Sequence, residues 1–271
     1  TLSPGIELRF NADASLIIGW DQPGALLAQG TPAEPILFTS NQTTKTRGYW
    51  GGILFQDLAL DTSILEHCVV EYGGGPYFYT LLSLSSASPA LRNLTLQESS
   101  NRGLDISNAN PTISNSTIQN VSGTGINISY ASPVIQDVVL QNLGGYGISA
   151  AGYDSHLTLE RLTVTNPTNY GVYVDASNTA GRLVDSVVAN GIYFASPSTL
   201  QITGNTLTNY DAFPTRIGAN SVGPFLANNT LQGVVAGSSR LEILGEVITQ
   251  STTWPNNLIY VVFGTVSVYG P

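Results

Sequence analysis

Charge and cysteine are both scarce in this chain. Charged residues make up 10% of its 271 residues, and Lys45 is the single lysine. The formal net charge is −9, which argues against nucleic acids and anionic membranes as partners. The one cysteine, Cys68, excludes a disulfide within the chain. No stretch approaches the 18 consecutive apolar residues of a membrane-spanning helix, so no transmembrane segment is expected.

Methionine is absent as well, and no signal peptide stands at the start of the sequence. We therefore expect the chain to be a processed or excised piece of a longer precursor. Hydrophobic residues make up 42% of the sequence, which is enough to build a core. Because charges are so few, the polarity of the surface must come mainly from Ser, Thr, Asn and Gln.

An apolar–polar octet recurs through most of the sequence. ISNSTIQN at 113–120 returns as IQDVVLQN at 135–142, LERLTVTN at 159–166, LVDSVVAN at 183–190 and ITGNTLTN at 202–209. The first residue of each octet serves as an anchor, and the anchors are Leu65, Leu91, Ile113, Ile135, Leu159, Leu183, Ile202, Leu226 and Ile243. A drifting period near 22 residues is typical of a solenoid whose loops vary in length. It predicts about ten to twelve coils.

The positions that follow the anchors indicate β-strands. Five residues after the anchor, every residue is apolar: Val70, Leu96, Ile118, Leu140, Val164, Val188, Leu207, Leu231 and Ile248. Four residues after the anchor, every residue is β-branched: Val69, Thr95, Thr117, Val139, Thr163, Val187, Thr206, Thr230 and Val247. β-branched side chains favour strands, and a strand points successive side chains to opposite faces. The first column is therefore expected inside the solenoid and the second outside.

Asparagine closes five consecutive octets. The five residues are Asn120, Asn142, Asn166, Asn190 and Asn209. Asparagine tolerates the left-handed backbone conformation and hydrogen-bonds neighbouring backbone groups, so it is suited to a bend. Stacked coil on coil, these residues predict a hydrogen-bonded ladder with its side chains turned inward. After each bend a loop leads to glycine and a second apolar strand, at 103–106, 125–128, 147–148, 171–174 and 191–194.

These coils resemble the right-handed parallel β-helix of the pectin-lyase-like superfamily. The segments SPGIELRF (3–10), GALLAQGTPAEPILFTS (24–40), GYWGGILF (48–55) and LEHCVVEYGG (65–74) are similar to the opening coils of secreted β-helix repeat proteins of prokaryotic cell surfaces. The resemblance implies an all-β, right-handed parallel β-helix of about 10–12 coils with no capping helix, located outside the cell or on its surface. One β-helix is expected over 1–271, with irregular opening coils at 1–64, regular coils at 65–250 and closing strands at 251–271 that can continue into a neighbouring unit.

Many proteins of this superfamily are polysaccharide lyases or hydrolases, so the resemblance makes an enzyme of this class an alternative. Glycoside hydrolysis needs two carboxylates roughly 5 to 10 Å apart. The polygalacturonase-like motifs Asn-Thr-Asp, Asp-Asp, Gly-His-Gly and Arg-Ile-Lys are absent. Asp137 and Asp185 share a column with Arg161 between them, which is either a weak site or, as we favour, a row of neutralised surface charges. We expect no catalytic residue and no enzyme.

Histidine contributes two further candidates. His67 precedes Cys68 and resembles the family's His-Cys pair of an early coil, for which an inward thiol beside a bend is favoured over a metal site. His156 lies near Asp154 and is the one candidate for half of an acid–base pair, although no nucleophile accompanies it. No metal and no cofactor are expected.

Tyrosines and sequons mark possible carbohydrate contacts. Tyr146, Tyr153, Tyr170 and Tyr173 gather on the loop side of the middle coils, where they either stack against sugar rings or pack loops onto the strands. Asn-x-Ser/Thr sequons occur at Asn41, Asn93, Asn115, Asn127 and Asn228, which are possible N-glycosylation sites. Asn120 also heads a sequon, but its expected inward position makes it unsuitable.

The two ends of the sequence suggest the function. Neither end carries a helix or a polar coil that would cover the edge strands of a solenoid. The apolar residues expected at these assembly ends are Ile6, Leu8, Phe10, Ile18, Ile259, Val261, Val266 and Val268. We expect units joined as tandem repeats or stacked head-to-tail on copies of themselves, as a structural extracellular filament, sheath or adhesin stalk. A carbohydrate-binding surface protein is the alternative, a polysaccharide lyase or hydrolase is a more distant one, and a trimmed fragment would explain the bare ends equally well.

Overall fold

Stacked parallel strands dominate the structure, a computed structural model that describes residues 1–177 and 179–269. Fifteen strands form the first part of the chain: β1 (Glu7–Phe10), β2 (Ser15–Ile18), β3 (Leu27–Gln29), β4 (Ile36–Ser40), β5 (Gly52–Phe55), β6 (Ile64–Glu66), β7 (Cys68–Glu71), β8 (Thr80–Ser85), β9 (Ala90–Arg92), β10 (Thr95–Gln97), β11 (Arg102–Ser107), β12 (Thr112–Val121), β13 (Ile126–Ser129), β14 (Val134–Leu143) and β15 (Ile148–Tyr153).

The second part of the chain continues in the same way and includes two short helices. Its elements are β16 (His156–Glu160), β17 (Thr163–Pro167), β18 (Val172–Ser177), β19 (Ala180–Val184), β20 (Val187–Ala189), β21 (Ile192–Phe194), β22 (Gln201–Thr203), β23 (Thr206–Thr208), β24 (Arg216–Gly218), a 3-10 helix (Ala219–Ser221), α1 (Val222–Asn228), β25 (Thr230–Leu231), β26 (Arg240–Leu244), β27 (Val247–Ile248), β28 (Ile259–Phe263) and β29 (Ser267–Val268).

The strands wind into three faces of a right-handed parallel β-helix. The first face contains β3, β6, β9, β16, β19 and β22, and the second contains β1, β4, β7, β10, β17, β20, β23 and β25. The long strands β12 and β14 bend and belong to both of these faces. The third face is an 11-stranded sheet that runs from β2 to β28. One strand of this sheet per coil gives 11 coils in the part of the chain that the structure describes, which confirms the predicted fold and coil number.

The octet columns occupy the positions that alternation predicts. The residues five after the anchor are buried from Val70 to Leu207, and those four after it are half-buried or exposed. The register is direct: Leu96 pairs with Val70 on one side and with Ile118 on the other. Identical positions therefore stack along the rod, and β-branched outer residues lie beside one another in successive coils.

Two of the predicted anchors were wrong. Leu226 lies in α1, which packs beside β22 on the first face in place of a strand. The coil continues normally after the helix, because Leu231 of β25 pairs with Leu207. Ile243 lies on the third face, where it pairs with Ile217 rather than with an anchor. The helix is followed by β25 to β29, so it lies within the stack and does not cap an end.

Three bends per coil carry a residue in the left-handed backbone region. The column between the first and second faces has a φ near 50° at each non-glycine residue: His67, Asn93, Asn115, Asp137, Arg161 and Asp185. The column after the second face comprises Tyr72, Glu98, Asn120, Asn142, Asn166, Asn190 and Asn209. A third column at the end of the third face includes Ser86, Asn108 and Tyr130. Asparagine repetition pointed only to the second column, because the other two contain several residue types.

A buried polar column, not predicted from the sequence, holds the first bend together from within. The Oγ of Ser186 accepts a hydrogen bond from the backbone N–H of Leu162 at 2.9 Å. Asn205 Oδ1 accepts one from the N–H of Ser186 at 3.0 Å, and Asn229 Oδ1 accepts one from the N–H of Asn205 at 3.0 Å. Each of these side chains thus accepts a hydrogen bond from a backbone N–H of the preceding coil. At the bend, that N–H has no partner in the sheet.

The residues at both ends of the chain belong to the same stack. Within 1–64, β1 pairs with β4 and β2 with β5, in the sheets that the later coils extend. Within 251–271, β28 pairs with β26 and β29 with β27. Residues 270 and 271 of this range lie outside the described residues.

Candidate functional site

The asparagine ladder lies at the outer edge of the second bend. Asn142 Nδ2 donates to Asn120 Oδ1 at 3.1 Å, Asn166 Nδ2 donates to Asn142 Oδ1 at 3.2 Å, and Asn209 Nδ2 donates to Asn190 Oδ1 at 2.7 Å. The ladder is interrupted between Asn166 and Asn190. Asn190 is buried and donates instead to the carbonyl oxygens of Pro167 and Asn169.

The inward position expected for Asn120 was wrong. Asn120 is half-buried, and Asn142 and Asn166 are exposed. These amides lie along the outer edge of the bend and bond to one another there. The ladder therefore connects neighbouring coils and offers no enclosed site.

A second amide column runs beside the first on the outer surface of the second face. Gln141 Nε2 donates to Gln119 Oε1 at 2.6 Å, Gln119 Nε2 to Gln97 Oε1 at 2.8 Å, and Gln97 Nε2 to Glu71 Oε2 at 2.8 Å. Glu71 also accepts bonds from Lys45 and Thr39. Burial alone would raise the pKa of Glu71, but the bonds from Lys45, Gln97 and Thr39 outweigh it and lower the pKa below the ordinary value. These residues stand at the sixth position after the anchor, and the recurrence of Glu or Gln at that position in the sequence could have predicted this column.

The His67–Cys68 pair separates at the first bend. Cys68 points into the core, is 1% exposed, and has its Sγ 3.4 Å from the carbonyl oxygen of Ala28. Burial raises the pKa of its thiol to about 12. His67 takes the left-handed corner position, with Nε2 3.5 Å from Asn93 Nδ2. No cluster of three His, Cys, Asp or Glu residues suited to a metal occurs within 1–177 and 179–269.

The charged row around Arg161 is connected differently from the sequence expectation. Arg161 forms a bidentate pair with Asp137, at 2.7 and 2.9 Å, and a further bond to Glu160 at 3.1 Å. Glu160 also pairs with Arg182. Bonds from Arg182 and then Arg161 lower the pKa of Glu160, and the bond from Arg161 lowers that of Asp137. Asp185 is exposed and receives no bond from Arg161 in this arrangement. Carboxylates held ionised by arginine are poor proton donors.

Three of the four predicted tyrosines come together where the chain enters the third face: Tyr173 lies in β18, and Tyr146 and Tyr170 lie just before β15 and β18. Tyr173 pairs in register with Tyr193, and their rings stack with centroids 5.3 Å apart and an interplanar angle of 12°. Tyr146 lies 4.8 Å from Tyr173, and Tyr170 lies 5.1 Å from Tyr193. All four rings are half-buried. They form a tyrosine stack whose ring spacing, 4.8 to 5.3 Å, is close to the spacing of neighbouring coils.

Arg216 ends the tyrosine stack and was not predicted. Its guanidinium carbon lies 4.5 Å from the ring centroid of Tyr193 and 4.0 Å from that of Phe263, which places the cation between two aromatic faces. Arg216 also donates to Tyr193 Oη at 2.6 Å and to Glu242 Oε2 at 2.7 Å. The stack is thereby fastened to the last two coils.

Tyr153 does not join the tyrosine stack. It lies at the far end of β15, 65% exposed, and its ring is 6.2 Å from that of Tyr130 at an interplanar angle of 46°. The two tyrosines occupy the third bend, on the opposite side of the third face from Tyr146. Sequence proximity grouped residues that the coil geometry separates.

The first coil and the last two coils leave part of the core uncovered. The apolar residues that contact the core but are only partly buried are Leu2, Leu8, Phe10, Leu16, Leu226, Leu231, Val234, Ile248, Trp254, Tyr260 and Val266. All of them lie within 2–16 or 226–266. Between these segments the inward columns are closed above and below by neighbouring coils. The predicted end residues Ile259 and Val268 are exposed, at 42% and 70%, while Ile18 is 8% exposed.

Comparison with known proteins agrees with this architecture. The family model described as right handed beta helix region matches residues 77–231. The chain belongs to this right-handed β-helix family. A crystal structure of pectate lyase Pel9A is 12% identical to this β-helix, covers 98% of it and 70% of the lyase chain, and has a TM-score of 0.34. The comparison with curated proteins found no match.

The sequons of this β-helix differ in accessibility. Asn115 is an exposed corner residue, and Asn41 and Asn228 are exposed but donate to Asn11 and Pro224. Asn127 and Asn93 are half-buried, and Asn127 Nδ2 donates to Asp105 at 2.7 Å. Of the five, Asn115 has the geometry best suited to a glycan. Among the described residues, the helices are too short or too polar to cross a membrane.

Proposed function

We propose that this β-helix is a structural, extracellular unit of a filament, sheath or adhesin stalk, in which its end coils stack on further β-helix coils. Those coils belong either to adjacent tandem repeats or to other copies of the chain. The observation that carries the proposal is that, among the described residues, the apolar residues only partly buried against the core lie in the first coil and in the last two coils of the stack. Uncovered strand edges and apolar layers invite pairing with another parallel coil.

Electron microscopy of native material tests this role. Filaments or stalks whose axial repeat is a multiple of about 4.8 Å are expected, because each coil adds one strand spacing. An antibody against the 76–79 loop, in which Pro76, Tyr77 and Tyr79 are exposed, should decorate the native material at regular intervals. Native material that contains only short separate particles contradicts the proposal.

The proposed role is non-catalytic, and the engagement of the carboxylates supports this. Asp137 and Glu160 are bound to arginines that lower their pKa, so neither is suited to donate a proton near neutral pH. The extracellular location rests on the likeness of the opening coils to secreted β-helix repeat proteins. Cell fractionation with an antibody against the folded chain tests the location.

A screen against pectin, alginate and related polymers tests the absence of catalysis. No release of reducing or unsaturated ends is expected. Turnover that disappears in Asp137→Ala or Asp185→Ala, but persists in an Asp61→Ala control on a distant turn, would show that the chain is an enzyme.

Carbohydrate binding without catalysis is a second candidate, and the tyrosine stack favours it. Tyr146, Tyr173 and Tyr193 present a continuous row of half-exposed rings with polar tips, which suits the apolar faces of sugar rings. The competing interpretation is that the rings serve only to pack coil on coil.

A glycan array distinguishes these two interpretations. Binding that falls at least about tenfold in Tyr146→Ala and Tyr173→Ala, a loss of about 1.4 kcal/mol, supports carbohydrate binding. Tyr153→Ala is the control, because Tyr153 lies outside the stack and should leave binding unchanged. If no glycan on the array binds, the interpretation that the tyrosines only pack coil on coil is the one supported.

A further inference from the structure

The last coils form an open apolar groove at the C-terminal end of the core. This C-terminal groove has a volume of about 560 Å³ and is lined chiefly by Ile248, Trp254, Val262, Val266 and Val268. Val262 pairs with Ile243, which pairs with Ile217, and the two isoleucines are buried. Val262 continues their inward column but is 47% exposed. The groove is therefore the position that the core layer of another coil would fill.

An unpartnered donor borders the C-terminal groove. Trp254 Nε1 is shielded from solvent and has no hydrogen-bond partner among the described residues. Its ring packs against Tyr260 with centroids 5.1 Å apart. Leaving a buried donor unpaired is unfavourable, so an occupant with a backbone carbonyl at this position would be stabilised.

The first coil of the same chain carries a matching layer. On β2, Leu16 and Ile18 point inward, because Leu16 packs against the core, Ile18 belongs to it, and they pair with the core residues Ile53 and Phe55. On β28, Tyr260 and Val262 point inward at the same spacing. Neither β2 nor β28 has a second partner strand among the described residues. Both strands are free of charged residues, so no like charges oppose each other across the contact.

We propose that the C-terminal groove binds the first coil of a second copy, with β2 paired in parallel to β28 so that Leu16 lies on Tyr260 and Ile18 on Val262. This inference rests on the proposed structural function and specifies its partner. One such contact covers both uncovered layers and leaves a free end on each copy. It is heterologous and continues into an open filament.

Long-range charge opposes this contact even though the paired strands are uncharged. Each copy carries a net charge of −9, so copies repel one another at low ionic strength. Salt screens that repulsion and leaves the apolar contact intact. Association is therefore expected to increase with salt, whereas association through surface ion pairs would decrease.

Sedimentation velocity of the purified chain tests the proposal. The weight-average sedimentation coefficient should rise with protein concentration, and it should rise further between about 0.02 M and about 0.5 M NaCl. A single monomer boundary under every condition overturns the inference. If native material nevertheless contains filaments, the structural function stands with tandem units or following residues in the groove; if it does not, both proposals fail.

Complementary variants identify the two surfaces. Val262→Lys blocks the groove, and Leu16→Lys blocks the first coil, with Leu8→Lys as a second variant if Leu16→Lys loses the wild-type circular dichroism spectrum. Each blocked variant alone should remain monomeric, and an equimolar mixture should give a 1:1 dimer and no larger species. Ile259, expected from the sequence at an assembly end, pairs with the exposed Arg240 and therefore lies on the outward side of β28, away from the groove. Ile259→Lys is the control and should retain filament growth. Self-association of either blocked variant overturns the head-to-tail arrangement.

Discussion

Corner residues carry much of the local conformational cost of this fold. At seven second bends a non-glycine residue has a φ between 51° and 61°, and asparagine occupies five of these positions. Asparagine makes the left-handed conformation less costly, and its amide also bonds to the next coil. Each asparagine therefore contributes to stability in two ways, through the backbone conformation that it tolerates and through its ladder bonds.

Substitution of Asn142 separates these two contributions. Asn142→Leu should lower the free energy of unfolding by about 2 kcal/mol, because leucine in the left-handed region costs about 1–2 kcal/mol and the exposed ladder bonds add a smaller amount. Asn142→Gly keeps the backbone conformation accessible and should cost less than about 1 kcal/mol. Urea unfolding followed by circular dichroism measures both. Equal losses in the two variants would mean that the ladder bonds, rather than the backbone, dominate.

The thiol of Cys68 is expected to be inert in the folded chain. It is 1% exposed, and burial raises its pKa to about 12, so the reactive thiolate is almost absent at pH 8. Alkylation by iodoacetamide at pH 8 should be at least about 100-fold slower in buffer than in guanidinium chloride. Mass spectrometry of the labelled chain measures the rates. Comparable rates in the two solvents would place Cys68 outside the core.

At the scale of elements, polar columns link successive strands of the second face. The glutamine column begins at Glu71, which is 8% exposed and accepts bonds from Lys45, Thr39 and Gln97. Because these bonds hold the pKa of Glu71 below its unfolded value, its contribution to stability is present above the unfolded pKa. That contribution is lost as the pH falls through the folded pKa.

Glu71→Gln should reveal this dependence on pH. At pH 7 the variant should be less stable by about 1–2 kcal/mol, since a carboxylate that accepts charge-assisted bonds is replaced by a neutral amide. The difference should shrink toward zero as the pH is lowered to about 3. Thermal unfolding at several pH values measures it, with Glu34→Gln on an exposed turn as the control. A difference that is independent of pH would show that Glu71 contributes through packing alone.

At the scale of the whole molecule, each coil contacts only its neighbours. The stability of such a stack is approximately a sum of coil terms and interface terms, and the terminal coils have one interface instead of two. The uncovered layers at Leu8 and Phe10, and at Tyr260 and Val266, mark these weaker coils. Opening should therefore start at the ends and move inward.

Hydrogen exchange measures this gradient directly. Backbone amides of β12 and β14, in the middle of the stack, should be the slowest to exchange, and those of β1 and β28 the fastest, with a difference of at least about 100-fold. High salt should slow exchange at both ends if copies associate there, and should leave the middle unchanged. Uniform protection along the rod would contradict a stack with weak ends.

The sequence by itself determined the solenoid. A parallel β-helix stacks equivalent residues directly on one another, so the inward column from Val70 to Leu207 and the corner asparagines recur at nearly fixed spacing and can be read without coordinates. The same reasoning failed at Leu226, because helix α1 and a strand can both bury an apolar residue at that spacing. Periodicity identifies which residues face the core, but not which element carries them.

Only the tertiary structure decided which surface residues meet. Tyr153 is close in sequence to Tyr146 but lies at another corner, while Tyr193 and Arg216 come from later coils and complete the tyrosine stack. Arg161 reaches Asp137 and Glu160 but not Asp185, although the column spacing treats the two aspartates alike. Loop lengths and side-chain directions set these contacts, and neither follows the coil period. The physical reason is that the core repeats with the backbone, whereas the surface depends on the loops between repeats.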